Sequence, residues 1–408
     1  MDKIRRKNAQ KVIIAMSGGV DSSVAAALLE RAGFNVVGVF MKFWAPTGAT
    51  QINTDMKTDL HGYNRCCSPE AENRARKVAK ILKIPFYVFN FEKEFKKRIV
   101  DYFLKEYKAG RTPNPCVVCN KEIKFGLLLE KALKLNADYI ATGHYAKKQK
   151  IENRKQKIEY KLLSAKDKEK DQSYFLWQLN QKQLSHILFP IGDYTRKEVE
   201  NLARKFKLPV LKAKKSVEIC FIQTTINDFL ARHLKQKPGQ IVEKISKKEN
   251  KHSNIGPSRR LGGWRAGCSL KNVGMLNKFR VLGKHEGLAF YTIGQRKGIG
   301  LPGGPYYVLD KDLKKNLLIV TKNEKDLYKK ELIAKNVNWI SGKVPKLPLK
   351  IKAKIRYRHQ PTLVALTYEL KNLKTYKLTF QKPQRAITPG QSVVLYKGEE
   401  LLGGGIIC

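Results

Sequence analysis

One short stretch carries residues suited to binding phosphate. After the apolar run 12–16, the chain reads Ser-Gly-Gly at 17–19, and Asp-Ser-Ser follows at 21–23. The apolar run predicts a strand buried on both faces, and residues 24–29 predict a helix that ends at Gly33. Glycines between a strand and a helix let the backbone approach phosphate oxygens, which the free N–H groups at the helix start can bind. An ordinary glycine turn is the alternative.

The loop lacks the lysine of a P-loop, since no Gly-x-x-x-x-Gly-Lys-[Ser/Thr] pattern occurs. Backbone and hydroxyl groups are therefore expected to hold the phosphate. The string SGGVDSS at 17–23 is similar to the loop of the N-type ATP pyrophosphatases. That resemblance implies cleavage of ATP between its α and β phosphates and adenylation of a substrate oxygen.

Cysteines form the second group with chemical potential. Residues 111–120 read RTPNPCVVCN, and the two prolines predict an extended, rigid loop. The next helix is expected to begin at position 119 or 120. A thiol at a helix start, among Arg111, Lys121 and Lys124, has a lowered pKa and is nucleophilic, so Cys119 is a candidate nucleophile.

Cys220 lies in the apolar string SVEICFI. Two cysteines in separate segments suit a sulfur relay, in which one carries a persulfide and the other attacks it; buried, inert thiols are the alternative. Cys116, Cys119 and Cys220 are too few for a closed zinc site, although they could ligate an iron–sulfur cluster. The other cysteines are expected to be inert: Cys66, Cys67, Cys268 and Cys408.

The elements that must position these groups alternate between strands and helices. Further strands are predicted at 35–41, 84–91 and 138–142, so the fold class is α/β, a doubly wound parallel sheet. Helices are predicted at 68–82, 95–107, 123–135 and 195–207. Ligands of such sheets bind beyond the carboxyl ends of the strands, where residues 17–22, Met41 and Gly143 are expected to converge.

The alternation ends near residue 224. We predict a catalytic domain at 1–223, a small central domain at 224–305 with a basic insertion at 243–280, and an antiparallel β-barrel at 306–408. Residues 147–161 predict a hairpin or a solvated excursion. The outward positions of the alternating segment 351–358 form a predicted basic stripe: Lys352, Lys354, Arg356 and Arg358.

The charge balance has two explanations. The 408 residues include 81 lysines and arginines against 35 acids, a net charge of +46, which indicates either nucleic-acid binding or a generally basic proteome. No apolar run reaches the roughly 20 residues of a membrane span, and the N-terminal residues lack an apolar signal core. We therefore expect a cytoplasmic protein with no membrane partner.

Eight segments together resemble the tRNA-specific 2-thiouridylases. They occur in the family's order and cover nearly the whole chain: SGGVDSSV, RCCSPE, RTPNPCVVCNKEIKFG, DYIATGHYA, KDQSYFL, EICFI, HEGLAFYTIGQRKG and TPGQSVV. The resemblance implies an ATP-pyrophosphatase domain, a central domain and a barrel that grips tRNA. It departs at Cys116, where some members have Asp, and at the insertion 243–280.

The resemblance also implies roles for individual residues. Cys119 is expected to be the nucleophile and Cys220 the persulfide carrier. The ATP-binding residues are expected to be Ala15, Met16, Ser17, Gly18, Gly19, Val20, Asp21, Ser22, Met41 and Gly143. Residues expected to face the target base or touch tRNA are Asn114, Pro115, Cys116, His144, Lys170, Asp171, Gln172, Arg356, Tyr357 and Gln391.

The implied reaction is thiolation of the wobble uridine of the tRNAs for Lys, Glu and Gln. ATP with Mg²⁺ would adenylate O2, and sulfur from the Cys220 persulfide would displace AMP, leaving a transient Cys119–Cys220 disulfide. A cysteine desulfurase or relay protein would supply the sulfur. The alternatives are an iron–sulfur-dependent thiolase, an amidating ATP pyrophosphatase and a non-catalytic RNA-binding protein.

Overall fold

The fold was analysed in a computed structural model that describes residues 9–45, 67–152, 158–211, 219–222, 224–244, 279–368 and 375–408. The predicted insertion 243–280 lies mostly outside these residues, and Cys66 and Cys268 lie outside them. Within the described part of the chain, no helix has the length and apolar character needed to cross a membrane.

A five-stranded parallel sheet forms the centre of the N-terminal part. Its strands are β1 (Lys11–Ala15), β2 (Asn35–Lys42), β3 (Phe86–Asn90), β4 (Tyr139–Ala141) and β7 (Ile187–Leu188), in the order β3-β2-β1-β4-β7. All pairings are parallel, which confirms the predicted doubly wound sheet. The central strand β1 is buried from Val12 to Ala15, as its continuous apolar run requires.

Helices cover both faces of this sheet. They are α1 (Val20–Arg31), α2 (Pro69–Ile81), α3 (Glu92–Phe95, continued by the π-helical turn Lys96–Val100 and Asp101–Lys108), α4 (Pro115–Cys119, the π-helical turn Asn120–Leu127 and Leu128–Lys134), α5 (Gln181–Ser185), α6 (Arg196–Lys205) and α7 (Ile226–His233). Ser68 caps α2 through Ala71 N–H, with proline at the first helical position. Thr195 and Glu198 form a capping box on α6.

The predicted start of α4 is wrong. The helix begins at Pro115, because the Asn114 side chain accepts the Val117 N–H and proline suits the first helical position. Pro115 therefore starts a helix instead of extending the loop. Cys116 is the second helical residue, and Cys119 is the fifth, beyond the first turn.

The C-terminal part is a closed antiparallel barrel. Its strands are β12 (Tyr328–Trp339), β13 (Leu349–Lys354), β14 (Thr362–Tyr368), β15 (Tyr376–Arg385), β16 (Ser392–Lys397) and β17 (Glu400–Ile407). They follow the order β12-β15-β14-β13-β16-β17, and β12 also pairs with β17, which closes the barrel. The predicted barrel is confirmed.

A hairpin from the N-terminal part extends the barrel sheet. The hairpin consists of β5 (Ala146–Glu152) and β6 (Ile158–Ser164), and β6 pairs with β17 at Leu401↔Leu162. The adjoining segment also packs on the barrel, since Trp177 Nε1–H donates to Ser392 Oγ at 3.1 Å and Tyr174 O–H donates to the Ser392 carbonyl at 2.9 Å. The catalytic part and the barrel thus share one continuous interface.

A four-stranded sheet lies between these parts in sequence. Its order is β10-β11-β8-β9, from β8 (Gly239–Lys244), β9 (Phe279–His285), β10 (Tyr307–Asp312) and β11 (Leu317–Thr321). The predicted boundary at 305/306 falls before two of these strands. We therefore propose that the central domain continues to β11 and that the barrel begins at β12.

The two loop glycines provide a matched test of the phosphate loop. Gly18 has φ +71°, and a Cβ there would overlap the Ala71 carbonyl oxygen, whereas a Cβ on Gly19 would meet only Ser17 Oγ at 3.5 Å. We expect Gly18→Ala to lower the free energy of unfolding by about 1–3 kcal/mol, because it strains the backbone at this position. Gly19→Ala should be neutral or slightly stabilising.

Thermal and urea unfolding of both variants measure this difference. Equal stability of the two variants would contradict the close packing of the loop on α2.

Candidate active site

The phosphate loop is held by its own serines. Ser17 N–H donates to Ser22 Oγ at 3.2 Å, and the two hydroxyls lie 3.2 Å apart. Ser22 and Ser23 both donate to the Gly19 carbonyl, at 3.3 and 2.7 Å. The loop therefore wraps around the start of α1, where the unpaired backbone N–H groups of a helix favour an anion.

Strand ends converge at this loop as predicted from the sheet. A Cβ on Gly143, after β4, would lie 2.6 Å from Ser22 N, so this glycine allows the β4 loop to pack directly on the start of α1. Met16 N–H donates to the Val39 carbonyl at 2.8 Å, which ties the end of β1 to β2. The remaining members of the predicted ATP set lie on the same elements: Ala15 at the end of β1, Val20 in α1 and Met41 in β2.

Two arginines near the loop were not predicted from the sequence. Arg74 Nε on α2 donates to the Gly18 carbonyl at 3.1 Å. Arg196 Nη1, at the start of α6, contacts Asp21 Oδ1 at 2.7 Å. No local pattern marks either arginine, because each reaches the loop from a distant part of the chain.

Cys119 and Cys220 contribute to the same apolar cluster. Cys119 is 8% exposed and lies in α4, whereas Cys220 is half-buried in the short described segment 219–222. Both pack into the cluster that contains Phe103 and Phe221, whose rings lie 5.3 Å apart. The two cysteines, 101 positions apart in sequence, therefore belong to one extended apolar core.

The predicted basic environment of the thiols is only partly present. Arg111 forms a two-bond ion pair with Glu106, at 2.6 and 2.7 Å, and its guanidinium lowers the pKa of that carboxyl. Lys121 pairs with Glu122 at 3.5 Å. The charge of Arg111 is thus directed at an acid, and Cys116, which is half-buried in the first turn of α4, is the thiol nearest the helix start.

The three thiols do not form a metal site in the described part of the chain, where no group of three or more Cys, His, Asp or Glu side chains is arranged to hold a metal. The donor arrangement gives no support to the predicted iron–sulfur alternative.

The loop before α4 is fastened to both other domains. Thr112 N–H donates to the Pro389 carbonyl at 2.9 Å, and Gln391 Nε2 donates to the carbonyls of Thr112 and Pro113, at 3.0 and 3.2 Å. From the central sheet, Lys311 Nζ donates to the Gly110 carbonyl at 3.1 Å. The segment that carries the candidate nucleophile is therefore held by hydrogen bonds from the barrel and from the central sheet.

Several residues predicted to touch tRNA are engaged inside the protein. His144 is 8% exposed and lies 2.7 Å from Thr142 Oγ1, and Asp171 accepts N–H groups from Ala165 and Ser173. Gln172 Oε1 accepts the Tyr145 N–H. Lys170, in contrast, is exposed.

The basic stripe is only partly correct. Strand β13 ends at Lys354, so the alternation stops before Arg356. The Arg356 guanidinium turns inward and donates to the Ala386 carbonyl and Thr388 Oγ1, both at 2.9 Å. Tyr357 packs on Phe175 with ring centroids 4.5 Å apart. Lys352 and Arg358 remain at the surface.

A cavity of about 510 Å³ lies beside Cys220. Its lining residues come from the end of α3, the segments on either side of Cys220, the start of α7 and the glycine-rich part of the central domain: Tyr107, Ile219, Ile222, Thr224, Thr225, Ile226, Asn227, Phe290, Thr292 and Gln295. Thr292 also lies 3.3 Å, Oγ1 to Oγ1, from Thr112. The cavity is therefore lined by the segment around Cys220, and one of its lining residues contacts the loop before α4.

Three family models match the chain in order. The tRNA methyl transferase HUP domain matches residues 10–224, the tRNA methyl transferase PRC-barrel domain matches 265–322, and the aminomethyltransferase beta-barrel domain matches 329–407. The first covers more than half of the chain and coincides with the sheet that carries the phosphate loop.

Curated relatives match nearly the full length. The tRNA-specific 2-thiouridylase MnmA of Clostridioides difficile (strain 630) is 42% identical over 399 residues, 98% of each chain. The chain belongs to the tRNA-specific 2-thiouridylase family. Another member, from Alkaliphilus oremlandii (strain OhILAs), is 43% identical over 97% of this chain and 96% of its own. The second MnmA of Thermoanaerobacter sp. (strain X514) is 44% identical over 97% of each chain.

The buried His144 predicts a pH dependence of stability. Burial, and to a lesser extent Lys124, lower the pKa of His144 well below its ordinary value of 6.5. Below about pH 6.5 the unfolded chain therefore binds a proton that the native state excludes, and stability falls as the pH drops. The slope from one such group is at most about 1.4 kcal/mol per pH unit.

His144→Asn should reduce the dependence of the free energy of unfolding on pH below about pH 6.5. The substitution removes the titrating ring and keeps a side-chain nitrogen near Thr142. Urea unfolding between pH 7.5 and 5 measures the slopes, and His186→Gln serves as the control. An unchanged slope in His144→Asn would contradict the assignment.

Proposed function

We propose that this protein synthesises 2-thiouridine at the wobble position of the tRNAs for Lys, Glu and Gln, releasing AMP and pyrophosphate. One observation carries the proposal: relatives named tRNA-specific 2-thiouridylase match nearly the whole chain, including both the phosphate loop and the cysteine-bearing segments. The net charge of +46 agrees with a polyanionic substrate. A tRNA substrate favours a cytoplasmic location.

The first step activates the base. The phosphate loop and the start of α1 bind the ATP phosphates, and the uridine O2 attacks the α-phosphorus with loss of pyrophosphate. Mg²⁺ would accompany ATP and neutralise charge on the leaving pyrophosphate. The Asp21 carboxylate, 35% exposed at the loop, fits such an ion as an oxygen donor.

The second step transfers sulfur. The terminal sulfur of a Cys220 persulfide forms a bond to C2 of the adenylated uridine, and the C2–O bond to AMP breaks. The Cys119 thiolate attacks Cys220 Sγ and breaks the S–S bond of the persulfide, which leaves a Cys119–Cys220 disulfide. An external dithiol then reduces that disulfide before the next turnover. The shared apolar cluster of the two cysteines supports this relay.

The sulfur donor is proposed to be a protein that carries a cysteine persulfide, either a cysteine desulfurase or a relay protein. The cavity lined by Ile219 and Ile222, on either side of Cys220, is the proposed side from which this donor approaches. The uridine must leave its stack to reach the site, as bases do in other RNA-modifying reactions.

Cysteine variants test the relay. Cys119→Ser and Cys220→Ser should each lower formation of thiolated tRNA by at least about 100-fold, because each removes a sulfur that must react. Cys116→Ser should retain part of the activity, and Cys408→Ser, at the exposed C-terminus, is the control. The assay follows thiolated tRNA on a mercury-containing gel with ATP, Mg²⁺ and a persulfide donor.

Iron analysis of anaerobically purified protein completes that test. Equal loss of activity in Cys116→Ser, Cys119→Ser and Cys220→Ser, with iron bound only in the wild type, would contradict the relay and establish a cluster.

Gln391 offers a separate test of whether the barrel contributes to catalysis or to tRNA binding. If Gln391 acts by fastening the loop before α4, Gln391→Ala lowers kcat about 10-fold and leaves the Kd for tRNA unchanged. We expect this result, because both Nε2 hydrogen bonds go to that loop. Gln384→Ala, on the same barrel, is the control. A weaker Kd with unchanged kcat would instead make Gln391 a direct tRNA contact.

A further inference from the structure

Arg74 lies against the phosphate loop from the neighbouring helix α2. Its Nε donates to the Gly18 carbonyl at 3.1 Å. Ala71, one helical turn earlier, is the residue whose carbonyl lies so close to Gly18 that a Cβ on the glycine would overlap it. Arg74 itself is half-buried. The guanidinium is therefore held at the edge of the loop that leads into α1.

Most of the hydrogen-bonding capacity of Arg74 remains for a ligand. A guanidinium has N–H donors on all three nitrogens, and the contact with Gly18 uses only Nε. No acid of the described residues pairs with Arg74, whereas Arg76, two positions along the same helix, pairs with Glu72 at 2.7 Å. Within the part of the chain that the structure describes, the donors on both Nη atoms of Arg74 thus have no protein partner.

The other arginine near the loop has its charge balanced. Arg196 lies 2.7 Å from Asp21 Oδ1 and 2.7 Å from Glu200 Oε1, so two carboxylates oppose its positive charge. Tyr145 O–H donates to the same Asp21 oxygen at 2.8 Å. Of these two arginines, Arg74 is therefore the one with a positive charge available to an anion in the loop.

A phosphate loop without a lysine gains from a cation supplied by another element. Backbone N–H groups at a helix start carry only partial positive charge, and serine hydroxyls carry none. A guanidinium binds phosphate oxygens in pairs, and it stays protonated at every physiological pH. Arg74 thus has the charge and the remaining donors that the lysine of a P-loop directs at the β and γ phosphates.

We propose that Arg74 binds the β and γ phosphates of ATP and stabilises the pyrophosphate as it leaves. When the uridine O2 forms its bond to the α-phosphorus, the bond from that phosphorus to the bridging oxygen breaks, and the electron pair stays with pyrophosphate. The Nη donors of Arg74 meet this growing negative charge, so the contact strengthens in the transition state. This inference rests on the ATP-dependent step of the proposed function.

Binding of two nucleotides to the full-length protein separates this contact from a structural role. The analogue α,β-methylene-ATP carries all three phosphates and resists cleavage at that bond, whereas AMP carries the α-phosphate alone. For Arg74→Gln we expect the Kd of the analogue to rise about 10- to 100-fold, because charged hydrogen bonds are lost, and the Kd of AMP to change less than about 3-fold. Isothermal titration calorimetry with Mg²⁺ present measures both constants.

Two further variants make the test specific. Arg76→Gln removes a guanidinium of the same helix that is 55% exposed and ion-paired, so it is the control and should leave both Kd values within about 2-fold of the wild type. Arg74→Lys keeps the charge without the fork that spans Gly18 and a phosphate. It should weaken the analogue by an intermediate factor, with AMP again within about 3-fold, and it replaces Arg74→Gln if that variant fails to fold.

Kinetics with tRNA add a second readout. Arg74→Gln should lower the kcat of pyrophosphate release at least about 10-fold, because the donors act on charge that develops in the transition state. Equal weakening of the analogue and of AMP would mean that Arg74 only shapes the loop, and this result would overturn the proposal. Unchanged Kd values for both nucleotides would overturn it as well.

The outcomes also separate this inference from the proposed function, because the binding measurements need no tRNA. A wild-type protein that binds the analogue but forms no thiolated tRNA would refute the proposed function and leave the role of Arg74 standing. A wild type that thiolates tRNA, with an Arg74→Gln variant that binds the analogue equally well, would refute the role of Arg74 alone.

Discussion

The close approach of main chain to main chain at Gly18 and Gly143 is the constraint on which the site depends. Gly18 lies against the Ala71 carbonyl of α2, and Gly143 lies against the backbone of Ser22. A side chain at either position would push α2 or the β4 loop away from the start of α1. Because these loops are packed without side chains between them, the phosphate loop presents mainly backbone N–H groups and serine hydroxyls, which suits an anion without a P-loop lysine.

Residues of the barrel and of the central sheet help to position a loop of the catalytic domain. The loop before α4 belongs to the catalytic domain, yet its carbonyls are held by Gln391 of the barrel and by Lys311 of the central sheet. Arg356 in turn holds the Ala386–Thr388 turn that precedes Gln391. Arg356 and Gln391, which were predicted from the sequence to contact tRNA, thus support the segment that carries Cys119.

Local patterns in the sequence were sufficient to predict the parallel sheet and the barrel. The apolar run of β1 and the alternation of strands and helices each depend on neighbouring residues, and both predictions were confirmed. The start of α4 was missed because a proline is compatible both with an extended loop and with a first helical turn, and only the Asn114 side chain decides between them.

Long-range contacts could not be predicted in the same way. Asp21 meets Tyr145 and Arg196 across 124 and 175 positions, and hairpin β5–β6 joins a barrel strand far along the chain. Such contacts follow from the three-dimensional path of the chain, which a single sequence does not encode in any short window. The convergence of Gly143 on the phosphate loop was the exception, since the general rule for parallel sheets already places strand ends together.

The positions of four acids help to explain how the basic excess of the chain can act. Asp21, Asp167, Asp171 and Glu106 each accept hydrogen bonds that hold a loop or a helix start. These carboxylates are engaged within the protein, whereas Lys170, Lys352 and Arg358 are exposed. Phosphate contacts by exposed lysines give affinity that falls steeply with salt, whereas inward groups such as Arg356 and Gln391 act on geometry. Affinity for RNA and order in the active site are therefore expected to depend on different sets of residues.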